Sequence, residues 1–171
     1  MSAPADRSAQ RALLERSVRV RPGSVLWDGA TSTLFDVASG KSLPLDWTRV
    51  AAVEERTDGE TRRPYCALRL DSGVEIAIAD QGLVFPPMTA GTGPLPGLPR
   101  AVCFRDLAAA EGQLEHFLRD HPGEKPERAH VDLFLLCLAI VDGARQAGFD
   151  VAPEERRLEG LLQELEARRR G

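Results

Sequence analysis

Between Tyr65 and Ala79 the apolar residues recur at every second position. Val74, Ile76 and Ile78 fall on one side of the chain, with Glu75, Ala77 and Ala79 on the other. Just before them, Cys66, Leu68 and Leu70 share a side against Ala67 and Arg69. Side chains alternate across a strand, so a period of two buries one face of extended chain and leaves the other wet. Asp71-Ser72-Gly73 supplies a tight turn between the two runs, and Asp58-Gly59 does so between the second run and an earlier one over 49–56. Pro64 stands at the start of its strand, where a missing N–H is tolerated. Residues 47–79 therefore read as three successive antiparallel strands around which the remainder must pack.

Upstream, Asp6 to Arg16 suits a short helix with Asp6 as its N-cap. Val18 to Arg21 alternates apolar and basic residues and reads as a strand, followed by strands over 24–27, 31–37 and 41–45. Turn residues recur every eight to twelve positions or so, the spacing of a small antiparallel sandwich or barrel. Downstream, Leu83 to Arg100 carries Pro86, Pro87, Pro94, Pro96 and Pro99 with three glycines among them, and reads as a long loop. Ala101 to Phe104 is expected as a last short strand. Helices are expected over 105–119, 127–148 and 153–170 from apolar residues at three- and four-residue spacing, the last two forming an αα-hairpin. The expected organisation is an arm over 1–17, a β-rich domain over 18–121 and a helical hairpin over 127–171.

The net charge is −4, and Lys41 and Lys125 are the only lysines among mostly Arg cations. An acidic chain lacks the clustered positive charge that phosphate backbones require, which argues against nucleic acid and, less strongly, against anionic membranes. Cys66, Cys103 and Cys137 are odd in number, widely spaced and in apolar settings. They read as buried thiols in a reducing cytosol rather than a disulfide framework. Met1 to Gln10 has no basic stretch followed by an apolar one, so no signal peptide is expected, and the longest apolar run, 133–141, is too short to span a bilayer. The Arg, Ala, Leu and Gly bias suits a GC-rich bacterial source.

Motifs for nucleophilic, phosphate-binding or zinc-dependent chemistry do not occur, and the Gly91-Thr92-Gly93 fragment is followed by prolines where a nucleotide-binding helix would have to open. Neither a cofactor nor a metal is implied by the residues. Three features stand out as contact candidates. Arg62, Arg63 and Tyr65 lie at a hairpin tip, able to grip an acidic partner through forked guanidinium bonds, with solvated loop charge as the plainer reading. Phe85, Met88 and Leu95 make the Pro/Gly loop less polar than a linker, as a binding loop or lid would be. Phe134 and Leu138 belong to a helix apolar all round, which is either covered on several sides or offers a face to another chain, a homodimer through 131–141 included.

The order of elements from Val18 to Arg119 resembles a bacterial pleckstrin-homology-like domain. The strand runs from 18 to 79 match its antiparallel strands, 105–119 its closing helix, and Leu43-Pro44-Leu45-Asp46-Trp47 a passage between strands. The resemblance implies an α+β fold, an antiparallel β-sandwich or barrel capped by a helix, here followed by the αα-hairpin. The long loop departs from the compact pattern, and no basic phosphoinositide-binding cluster matches, so no lipid role carries over. The expected function is a non-catalytic protein-interaction or adaptor module of the cytoplasm. The alternatives are a small enzyme or ligand-binding protein with its site under loop 83–100, and an assembly factor of a secretion or motility machine.

Overall fold

The computed structural model describes residues 4–21, 23–89 and 97–171. Among these residues the chain forms α1 (Pro4–Arg19), β1 (Val25–Asp28), β2 (Thr33–Asp36), β3 (Ser42–Pro44), a 3-10 turn (Trp47–Arg49), β4 (Val50–Thr57), β5 (Pro64–Leu70), β6 (Glu75–Ala79), β7 (Gly82–Val84), α2 (Phe104–Asp120), α3 (Arg128–Ala147) and α4 (Ala152–Arg170). The fold class is α+β with two antiparallel sheets, ordered β1-β2-β3 and β4-β5-β6-β7, and a helical C-terminal part. The chain divides into two compact units. One comprises 1–86 with 146–149, the other 87–145 with 150–171, so α2 groups with α3 and α4.

In the first unit the alternation over β6 has the expected effect, whereas in β5 Cys66, Leu68 and Leu70 are buried and Arg69 is exposed but Ala67 is buried too. Val74, Ile76 and Ile78 are buried, while Glu75, Ala77 and Ala79 are half-exposed. Each fully buried aliphatic side chain of this kind contributes roughly 1.5–3 kcal/mol. Gly73 adopts φ +89° in the β5–β6 turn, as its lack of a Cβ allows. The β4–β5 turn is built differently. Asp58 accepts from the N–H groups of Glu60 and Thr61, which holds its carboxyl below the usual carboxylate range, and Arg62 rather than Gly59 takes the left-handed conformation, at φ +59°.

The strand expected over 18–21 is instead the end of α1 and the turn that follows it. Leu14, Ser17, Val18 and Arg21 are buried together, a stripe at spacings of three, four and seven, whereas Val20 is 66% exposed. A four-residue alternation is too short to separate the two periods, and the stripe extending back to Leu14 decides for the helix. Arg21 is buried because it has partners: its guanidinium donates to the Ser17 carbonyl and hydroxyl and to the Pro64 carbonyl, and pairs with Asp80 at 3.5 Å. The seventh strand is β7, at the start of what reads in the sequence as loop. A tight β6–β7 turn pairs Ala79 with Gly82 and Ala77 with Val84. Of the short strand expected over 101–104 only a bridge at Val102 exists, because Phe104 opens α2 and the Cys103 N–H donates to Asp106 Oδ2 as its cap.

Asp36 joins the two sheets of this unit. It is 3% exposed, accepts from the Ser39 N–H at 3.2 Å within its own sheet, and accepts from the Leu83 N–H of β7 at 3.0 Å. Gly82 (φ +114°) lets β7 approach so closely that a Cβ there would stand 2.8 Å from Asp36 Oδ2. Residues 146–149 complete the unit: Phe149 packs its ring 5.6 Å from that of Phe85, and Gly148 (φ +109°) passes within reach of Leu43.

In the second unit α2 buries Leu107, Ala110, Leu114, Phe117 and Leu118, as spacing leads one to expect, and α4 buries Leu158, Leu161 and Leu165 of the stripe expected to include Leu162, which is instead 38% exposed. Arg168 belongs to a basic run that reads as solvated, yet its guanidinium donates to the carbonyls of Leu118 at 2.6 Å and His121 at 2.7 Å. It thus closes the C-terminus of α2, where free carbonyls and the negative end of the helix dipole favour a cation. His130 turns back to accept the Glu127 N–H at 2.9 Å, satisfying a donor at the start of α3.

Candidate functional site

Helices α3 and α4 are joined by only four residues, the connection of an αα-hairpin. Arg145 at the end of α3 pairs with Glu155 at the start of α4. Between the two helices lies a groove of about 560 Å³, lined by Phe134, Leu135, Leu138 and Ala139 of α3, by Leu158 and Leu162 of α4, and at one edge by Met88 and Thr89. The segment at that edge is held by its backbone, since the Met88 N–H donates to the Ala139 carbonyl at 2.9 Å. Val131, Leu138 and Leu162 are each exposed by 38% or more. On α3, Val131, Leu135, Leu138 and Asp142 follow one another at the three- and four-residue steps of a single helical stripe.

Charge gathers at the end of the groove near the hairpin turn. Asp142, Glu155 and Glu159 line it together with Arg145. Asp142 is 9% exposed; its Oδ1 accepts from Arg145 at 2.5 Å, and its buried Oδ2 has no hydrogen-bond partner among the described residues. A buried carboxylate oxygen without a donor is costly and therefore unusual in a native core.

Of the residues singled out in the sequence, Met88, Phe134 and Leu138 come together on this groove. Phe85 does not join them: it is 1% exposed, packed against Phe149. Leu95 lies outside the described residues. Arg62 and Arg63 sit at the β4–β5 turn as expected, where Arg62 is exposed and Arg63 pairs with Asp80 at 2.9 Å, while Tyr65 lies within β5 opposite Arg56. Asp142, Arg145, Glu155 and Glu159 escape sequence reasoning. Only the acid ending the apolar stripe 131/135/138 on α3 hints at them, since helix pairing is needed to bring the α4 carboxylates alongside.

Two other clusters lack the geometry of a reacting site. His116, His121 and His130 surround Phe117, and His130 stacks on its ring at 3.8 Å. Each imidazole has a local partner: Asp120 at 2.7 Å for His116, Glu124 at 3.3 Å for His121, and the Glu127 N–H for His130. Among the described residues no group of His, Cys, Asp and Glu is placed to hold a metal ion. Glu111 of α2 is buried and receives one bond from Arg157 of α4 at 3.1 Å; burial pushes its carboxyl up, against the pull of that guanidinium. Cys137 is fully buried, and burial, with the Glu111 charge nearby, pushes its thiol up to about 12. No described helix is long and apolar enough to cross a membrane. No family model, no curated protein and no solved structure matches the chain.

Proposed function

We propose that this chain is a non-catalytic protein-interaction or adaptor module of the bacterial cytoplasm, and that the α3–α4 groove is its contact surface. One observation carries the reading: an apolar groove with Leu138 43% exposed and Leu162 38% exposed stays open where a helical hairpin ordinarily closes over itself. Contiguous exposed apolar surface is costly in water and is typically kept for a partner. The pleckstrin-homology-like relationship of the β-rich part is likewise our proposal, supported by its two antiparallel sheets.

The test is a double variant, Leu138→Gln with Leu162→Gln. Both positions face solvent, so thermal unfolding should be unchanged. A partner retained from a lysate of the native organism by the unaltered chain should be lost by the variant. Equal retention by both would sink the reading. A second reading, a small-ligand site, is favoured by the groove's volume, which falls in the range of small-molecule pockets. It predicts instead a thermal shift by an apolar metabolite that the same double variant abolishes.

A further inference from the structure

Resting on that reading, we propose that the occupant of the groove is an amphipathic helix from another protein, with an apolar stripe and a lysine or arginine at one end of it. The lining residues on α3 run from Phe134 to Arg145 and those on α4 from Glu155 to Leu162, so two helical walls flank the groove over about two turns or more. Helix backbones have their N–H and C=O groups already paired, so these walls offer no ladder to an extended peptide. What they offer is rows of side chains at three- and four-residue spacing, into which a third helix interdigitates.

Charge separates a foreign helix from a second copy. Three carboxylates, Asp142, Glu155 and Glu159, line the groove against one guanidinium, Arg145, which is already engaged by Asp142 and Glu155. In a two-fold contact each patch must be offset by residues of the same patch, and the lining of this one holds no cation besides the already engaged Arg145. A helix bearing a cation at that end offsets the excess. Charge placed there selects among partners more than it adds gross affinity.

The experiment uses the full chain and three synthetic helical peptides of about five turns, each with leucines on one stripe. They differ at one position near the end of the stripe, which carries lysine, norleucine or glutamate. Fluorescence anisotropy should show the lysine peptide binding roughly tenfold more tightly than the norleucine peptide and the glutamate peptide most weakly. Glu159→Gln, at an exposed position, should narrow that preference, and Asp142→Asn with Glu159→Gln should remove it. Leu138→Gln with Leu162→Gln should abolish binding of all three. Equal binding of the three peptides overturns the inference while the groove survives as a contact surface. A homodimer in solution that Leu138→Gln dissociates overturns it in favour of a second copy. Absence of binding by every peptide overturns the inference as well; whether the groove reading falls with it is decided by the separate partner-retention test.

Discussion

Two buried aspartates, one in each unit, are treated in opposite ways. Asp36 has both carboxylate oxygens engaged by backbone donors, from Ser39 and Leu83. Asp142 shares one oxygen with Arg145, and its other oxygen has no donor among the described residues. The first ties two sheets together and is costly to disturb, because removing it orphans a buried N–H. The second contributes little to holding its helices and is cheap to remove, since an unpaired buried acceptor lowers stability. Polar burial is evidence of structure where every group is satisfied, and of something beyond structure where one is not.

The sharpest way to break this contrast is at the neighbour of Asp36. Gly82→Ala forces a side chain into a positive-φ residue and sets its Cβ 2.8 Å from Asp36 Oδ2. Strain and overpacking each cost about 1–3 kcal/mol, so urea unfolding should show a loss of roughly 2–5 kcal/mol. A loss under 1 kcal/mol or so would mean that β7 is not pinned as described. Asp36→Ala should cost about 1–3 kcal/mol for the donors it strands. Arg168→Ala opens the C-terminus of α2 and should cost about 1 kcal/mol by the same assay. At the small end, Asp142→Leu should be neutral or slightly stabilising; if it destabilises as much as Asp36→Ala, the two aspartates are alike and the comparison fails.

Glu111 sharpens the contrast through pH. Burial raises its folded-state value above that of the unfolded chain, so between the two values the folded state binds more proton. Stability from this group is therefore greatest in acid, falls as pH rises from the ordinary carboxylate range through the raised value, and is level above it. Glu111→Gln should flatten that part of the profile when unfolding free energies are compared from about pH 4 to about pH 8.

Much of the fold is written locally. The β5–β6 hairpin and the helices α2, α3 and α4 stand within a residue or two of where period and turn chemistry place them. The departures come where a local pattern is short or its partner distant in sequence. Val18 and Val20 alternate for too few residues to outweigh the stripe that Leu14 begins. Arg168 finds carbonyls some 50 positions upstream that no local reading connects to it. The site divides in the same way: Phe134 and Leu138 are visible as an apolar helix face, Phe85 is equally apolar yet spent on Phe149, and the carboxylates that give the groove its sign emerge only once α3 and α4 lie side by side.

The short stretch 146–149, the last residues of α3 and the start of the turn after it, belongs to the first unit although the chain on either side of it belongs to the second. A fragment ending at Pro86 would lack Phe149, and with it the ring against which Phe85 rests. A β-rich fragment prepared on its own would therefore need residues 146–149 supplied to keep this packing.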